Sequence, residues 1–251
     1  MRSTFKQLLR HLGLDVDQRR PTSSYPVDFD PDTIEIIKLV KPFTMTSDER
    51  VHALIEAVRY LVKSRVDGAF VECGVWRGGS MMAVAKTLTH LGRSDIDLYL
   101  FDTYEGMTTP SVEDVDYHDT PAHEFFRRKQ IGEDTSDWCR ATFVEVERNM
   151  LATGYPKERI RMIRGRVEDT IPNEAPNPIA LLRLDTDWYE STRHELFHLY
   201  PRLSRGGVLI IDDYGHWRGS RKATEEYFQE TAGRGILLNR IDYTGRIGVK
   251  P

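Results

Sequence analysis

The sequence predicts an α/β protein built on a doubly wound, mostly parallel sheet of seven strands, with a C-terminal antiparallel hairpin and an N-terminal helical arm. Three observations predict it. From Gly68 onward, short apolar runs alternate with segments of helical periodicity. Several runs end in a glycine-rich turn or in acidic residues, as strands do when their carboxyl ends face a ligand crevice. The final apolar stretch splits around Tyr243-Thr244-Gly245, as hairpin strands do.

Taken in order, residues 1–48 form an arm. Phe5, Leu8, Leu9 and Leu12 recur at helical spacing and predict a short amphipathic helix, while RRPTSSYPVDFDPDT (19–33) is turn-rich and reads as irregular. The main domain runs from 49 to 251. Ser47 and Asp48 cap a helix in which Val51, Leu54, Ile55, Val58 and Leu61 make one apolar stripe. AFVECGV (69–75) reads as a buried strand, Ser80 to Leu91 as a helix, and DLYLFD (97–102) as the second strand. TSDWCRATFVEVERNMLATG (135–154) reads as a helix with Asp137 near its start and Gly154 at its end. IRMIRG (160–165) and PIALLRLD (178–185) are the third and fourth strands. A helix over 190–203, the strand GVLIIDD (207–213), a polar helix over 219–231 and the hairpin in ILLNRIDYTGRIGVK (236–250) complete the alternation. Residues 103–134 break it. They are rich in Asp, Glu, Thr and Pro, helical only in AHEFFRRKQ, and long enough to be a lid over a binding site.

Composition narrows the function. The chain has 251 residues, 35 Lys+Arg against 39 Asp+Glu, and a net charge of −4, which excludes a broadly basic nucleic-acid binder. No apolar run approaches the ~20 residues of a membrane span. The first twenty residues lack the apolar core of a signal peptide, so a cytoplasmic protein without nucleic-acid or membrane partners is expected. Two cysteines, Cys73 and Cys139, make no disulfide framework and read as reduced thiols.

Three signals carry chemistry. In VECGVWRGGS, Gly74, Gly78 and Gly79 allow a tight turn where a strand feeds a helix, with Glu72 before it and Ser80 after it. The G-x-x-x-G-G spacing matches neither the dinucleotide fingerprint nor a P-loop, which weakens a nicotinamide-dependent oxidoreductase. Asp102 ends the second strand, 28 residues after Gly74, where an acidic side chain takes the ribose hydroxyls of an adenosine ligand. The strongest signal is the pair of acidic strand ends: Asp185 and Asp187 in LLRLDTDWYES, Asp212 and Asp213 in VLIIDDYGHW. Neighbouring strands would bring these carboxylates together, and a bound cation is the natural compensation; oxygen ligands favour Mg²⁺, Mn²⁺ or Ca²⁺. A non-catalytic scaffold would leave the four aspartates without a purpose. His194 and His216 lie near them and could assist.

PFTMTS (42–47), FVECGVWRGGS (70–80), LFDTYEGM (100–107), LRLDTDWYEST (182–192) and IIDDYG (210–215) resemble, in the same order, the motifs of the macrocin O-methyltransferase family. The resemblance implies a Rossmann-like class I methyltransferase fold, S-adenosylmethionine as methyl donor and a divalent cation, usually Mg²⁺. It implies that Glu72, Gly74, Gly78, Ser80 and Asp102 hold the methionine part and the ribose. Thr44, Met45 and Ser47 would close over the cofactor, and Glu168 would touch the adenine. It gives Asp185, Asp212 and Asp213 as metal ligands and Asp187 as general base. The implied substrate is a small molecule whose hydroxyl accepts the methyl group, a sugar hydroxyl of a natural product above all. Catechols or other phenols are the alternative acceptors. The N-terminal arm points to a homo-oligomer.

Overall fold

The computed structural model describes residues 25–230 and 235–251, so the amphipathic segment expected around residues 5–12 lies outside the described residues. The apolar runs form one sheet of seven strands: β1 (Ala69–Cys73), β2 (Leu98–Asp102), β3 (Ile160–Arg164), β4 (Ile179–Leu184), β5 (Leu203–Ile211), β6 (Asn239–Arg240) and β7 (Arg246–Val249). Their spatial order is β3-β2-β1-β4-β5-β7-β6. Neighbours among β1 to β5 are parallel, whereas β7 pairs antiparallel with both β5 and β6. The expected doubly wound sheet with an antiparallel C-terminal edge is therefore the fold.

Helices shelter both faces, which is why the central strands are apolar almost throughout. They are α1 (Pro31–Val40), α2 (Asp48–Ser64), α3 (Gly79–His90), α4 (Ala122–Lys129), α5 (Phe143–Leu151), α6 (Val167–Thr170), α7 (Tyr189–Leu199) and α8 (Arg218–Glu230). On one face Phe70, Leu98, Leu100, Leu181 and Val208 pack with apolar residues of α1, α2, α3 and α5. On the other, Val71, Phe101, Leu182 and Leu209 pack with Leu196, Leu199 and Tyr227. The alternation along each strand divides its side chains between the two layers. Ser47 caps α2 as expected, accepting from the Arg50 amide at 3.2 Å.

Three boundaries differ from the sequence reading. Residues 31–40, placed in an arm whose 19–33 stretch read as irregular, include a helix: Asp30 accepts from the Thr33 amide at 2.9 Å and Pro31 occupies the first turn, where its missing N–H costs nothing. The helix expected from about Asp137 starts only at Phe143, capped by Thr142. Upstream the backbone is committed elsewhere, with the Asp137 amide donating to the Lys129 carbonyl and the Trp138 carbonyl accepting from Met107. The helix expected through residue 203 ends at Leu199 and tightens into a 3₁₀ turn over Tyr200–Arg202, because Pro201 has no N–H to continue it.

Residues 103–134 are tied to the body. Buried Asp114 accepts from the Tyr189 amide at 2.7 Å and from Ser111, and the Trp188 indole donates to the Thr108 carbonyl at 3.0 Å. No helix among the described residues is long and apolar enough to cross a membrane.

Candidate active site at the switch point of the sheet

The strand order reverses between β1 and β4, and there the carboxyl ends of adjacent strands open a crevice. Gly74 makes the closeness possible. Its φ is +81°, and a Cβ on it would lie 2.0 Å from the Asp185 carbonyl oxygen. The strand ends are stitched together: the Asp185 amide donates to Cys73 O (2.8 Å), Gly74 to Phe101 O (2.8 Å) and Asp212 to Leu184 O (2.9 Å). Above them lies a cavity of about 350 Å³, with the glycine turn and Asp102 on one side and the four aspartates on the other.

On the first side, Thr44, Met45, Gly74, Ser80, Asp102 and Glu168 all line the cavity. The turn 43–44 lies close over the start of α3: a Cβ on Gly79 would come within 2.5 Å of the Phe43 carbonyl oxygen. Asp102 accepts from backbone donors on both oxygens, Oδ2 from Val75 N (2.6 Å) and Trp76 N (3.1 Å) and Oδ1 from Tyr104 N (2.7 Å), which leaves Oδ1 a lone pair for a further donor. Burial pushes its carboxyl upward, against these three N–H groups. It therefore fixes the glycine turn itself. Three of the expected cofactor residues are not brought to the cavity. Ser47 is held as the cap of α2 and donates to Asp242 at 2.7 Å. Glu72 is 1% exposed and points into an ion pair. Gly78 is the left-handed N-cap of α3, facing Val146 and Met150.

On the acidic side the key residue is Arg183, next to last in β4 and 3% exposed. Its guanidinium donates to Glu72 Oε1 (2.6 Å), Asp185 Oδ2 (2.7 Å), Asp212 Oδ1 (2.6 Å) and Thr46 Oγ1 (3.3 Å). Arg50 reaches from α2 to Asp212 and, through Nε, to Asp242 at 2.9 Å. Asp212 is thus held by two arginines. The carboxylates whose oxygens come within 4.8 Å of one another are Asp185, Asp187 and Asp213. Of the set expected for a metal, Asp185 and Asp213 belong to this group and Asp212 does not; its third member is Asp187, expected as the base.

Six carboxylates, Asp242 included, share two guanidinium groups, and the imbalance shows in the proton affinities of the cluster. Burial pushes Glu72 up to about 7 despite Arg183, and pushes Asp187 up to about 7 with Asp185 and Asp212 adding to it. Asp185 is raised by burial against the pull of Arg183, and Asp213 by burial with Asp187 beside it. Asp187 has a left-handed backbone (φ +71°), and the nearby Trp217 side chain favours its ionised form. One oxygen of Asp213, Oδ2, is buried without a hydrogen-bond partner. His194 is turned away to the Ile171 carbonyl at 2.9 Å, whereas His216 lines the cavity.

Sequence reasoning passed over Arg50, Arg183, Trp138, Trp217 and Tyr243, all at the site. Arg183 had a signal, since one arginine inside a run of leucines in a buried strand must be paired. The others come from segments whose meeting no local pattern encodes.

The family model described as Macrocin-O-methyltransferase (TylF) matches residues 38–247. The chain is 30% identical over 184 residues to demethyldecarbamoylnovobiocin O-methyltransferase of Streptomyces niveus, covering 73% of this chain and 67% of that one. It is 32% identical over 184 residues to mycinamicin III 3''-O-methyltransferase of Micromonospora griseorubida, covering 73% and 69%. The solved structure of the O-methyltransferase NovP superposes with a TM-score of 0.71 at 29% identity, over 83% of this chain and 82% of that chain. The match spans the switch-point cavity from the cover turn at Phe43 to the aspartates of β5, and by it this chain belongs to the macrocin O-methyltransferase family of S-adenosylmethionine-dependent O-methyltransferases.

Proposed function

We propose that this enzyme methylates a hydroxyl of a glycosylated or polyhydroxylated small molecule, a sugar hydroxyl of a natural product first of all, and does so with Mg²⁺ or a similar divalent cation. The observation that carries the reading is the convergence of Asp185, Asp187 and Asp213 on the cavity wall opposite the glycine turn. The mycinamicin and novobiocin relatives named above favour sugar-bearing acceptors for this chain too.

The acidic wall fits a divalent cation. Its donors are oxygen only, Asp213 Oδ2 lacks a partner, and burial drives protons onto carboxylates that have no other counter-charge. Asp212 is held by both Arg50 and Arg183, whereas Arg183 takes only Oδ2 of Asp185, so Asp213 and Oδ1 of Asp185 are the groups to hold the cation. When bound, it would act as a Lewis acid and lower the pKa of the acceptor hydroxyl. Asp187 takes the proton from that hydroxyl. The oxygen then forms its bond to the sulfonium methyl as the S–CH₃ bond breaks, leaving S-adenosylhomocysteine. Asp102, by fixing the Val75–Trp76 turn, and the cover turn 43–46 hold the donor in line, which is mainly positioning.

Labelled S-adenosylmethionine offered with a panel of glycosides and catechols tests the reading directly. Methyl transfer to glycosides that stops with EDTA and returns with Mg²⁺ is expected; turnover of simple catechols alone would favour the phenol reading, and full activity in EDTA would remove the metal.

Two further results are expected. Asp102→Ala should weaken S-adenosylhomocysteine binding by about 1.5–3 kcal/mol, the size of a hydrogen bond to a charged acceptor. Unchanged affinity by calorimetry would take Asp102 out of the binding site. The second concerns pH. Glu72 and Asp187 hold protons up to about pH 7 in the fold, whereas an unfolded chain releases them near 4. The folded state binds more protons between these limits, so in chelator the stability should fall as pH rises from about 4 to about 7. Mg²⁺ should restore it, raising the melting temperature more at pH 8 than at pH 5. A shift independent of pH would contradict the cation replacing protons at this cluster.

A further inference from the structure

Beside the acidic wall, three separate parts of the chain bring aromatic side chains together, and two of these, His216 and Tyr243, line the cavity. Tyr117 comes from the 103–134 insertion, His216 from the β5–α8 connection and Tyr243 from the β6–β7 turn. The ring centroids of Tyr117 lie 5.3 Å from His216 and 5.8 Å from Tyr243, and the Tyr243 hydroxyl is 3.3 Å from His216 Nδ1. Tyr117 and Tyr243 nevertheless remain 50% and 54% exposed. The backbone pins the three segments to one another. The Arg218 amide donates to Val115 O (2.9 Å), Asp116 bridges Trp217, and the Gly215 amide donates to Thr244 O (2.9 Å).

This rim begins where the acidic cluster ends. The amides of His216 and Trp217 both donate to the Asp213 carbonyl, at 2.9 and 3.0 Å, and Trp217 lines the cavity with Asp187. His216 and Tyr243 line the same cavity as Asp187 and Asp213. The Tyr117 and Tyr243 rings offer flat apolar faces with a hydroxyl at each tip. The His216 imidazole meets the Tyr243 hydroxyl through Nδ1, and its second ring nitrogen can accept or donate a further hydrogen bond. A pyranose has the matching surface, an apolar C–H face edged by hydroxyls, and aromatic side chains with polar tips suit such a ligand.

We infer that Tyr117, His216 and Tyr243 form the subsite that holds the sugar ring of the acceptor, with its C–H face against the two tyrosines and the hydroxyl to be methylated directed to Asp187. The inference rests on the glycoside reading above and adds the specificity-determining residues to it.

The test uses the full-length protein with bound S-adenosylhomocysteine and, as probes, methyl α-L-rhamnopyranoside and p-nitrophenyl α-L-rhamnopyranoside. Saturation-transfer NMR reports binding, and labelled S-adenosylmethionine reports turnover. Tyr117→Leu/Tyr243→Leu should weaken binding of both glycosides by about tenfold or more, with the rise in KM exceeding any fall in kcat and with S-adenosylhomocysteine affinity unaltered. Tyr243→Phe, which keeps the ring, should recover most of the loss carried by Tyr243→Leu. Unchanged glycoside binding in the double variant overturns the subsite and leaves the glycoside reading standing. A loss confined to the p-nitrophenyl compound also overturns it, because the rim then holds an aromatic aglycone. If the wild type binds neither glycoside and methylates catechol, the functional reading fails and the sugar subsite with it.

Discussion

Replacing Arg183 by Ala is expected to destabilise the protein by about 3–5 kcal/mol, the cost of leaving buried charge unpaired. For a chain of this length that lowers the melting temperature by roughly 6–20 °C. The guanidinium is 3% exposed and bonds to carboxylates from three adjacent strand ends, Glu72 of β1, Asp185 after β4 and Asp212 after β5. Arg183→Lys should rescue only part of the loss, since a single ammonium lacks the planar fork that spans these partners. The loss should shrink at acid pH. Burial favours the protonated form of Glu72 and Asp185, and a protonated carboxyl needs no counter-charge. Urea or thermal unfolding at pH 5 and pH 8 measures both effects. A cost under about 1 kcal/mol at pH 8 would mean that water or rearrangement replaces the arginine, and that the three strand ends do not depend on it.

Arg183 also marks the limit of what the sequence conveys. Period and punctuation fix which segments are strands, because LYLFD, IALLRL and VLII have no other place than a sheet covered on both faces. Acidic residues ending two of these runs are legible as a site, because adjacent parallel strands put their carboxyl ends side by side. The partners across the sheet are less legible. Asp212 looks like a free ligand in VLIIDDYG, and only the approach of Arg50 from α2 and Arg183 from β4 shows it neutralised. Trp138 was lost for a related reason. Its stretch has helical composition, yet its backbone pairs with Lys129 and Met107, so the ring lies against Trp188 and Trp217 (5.6 and 6.0 Å) at the cavity instead of on a helix. Tertiary hydrogen bonds decided there, and propensity did not.

Asp187→Asn should lower kcat by about 10²–10⁴, the usual size of a lost general base, while S-adenosylhomocysteine still binds. Asn keeps the shape, and it tolerates the left-handed backbone at φ +71° better than most residues. The variant therefore removes the proton acceptor without removing the turn. The acid limb of the kcat–pH profile belongs to the same group: activity should rise as the proton leaves Asp187, and that limb should vanish in the variant. The same protein resolves the ambiguity that geometry raises, because Asp187 stands within ligand distance of Asp185 and Asp213. If Asp187 is the base, the Mg²⁺-dependent rise in melting temperature survives in Asp187→Asn and is lost in Asp185→Asn and Asp213→Asn. If the rise disappears in Asp187→Asn as well, Asp187 is a ligand. Near-normal kcat in Asp187→Asn would pass the base role to His216, whose imidazole lines the same cavity.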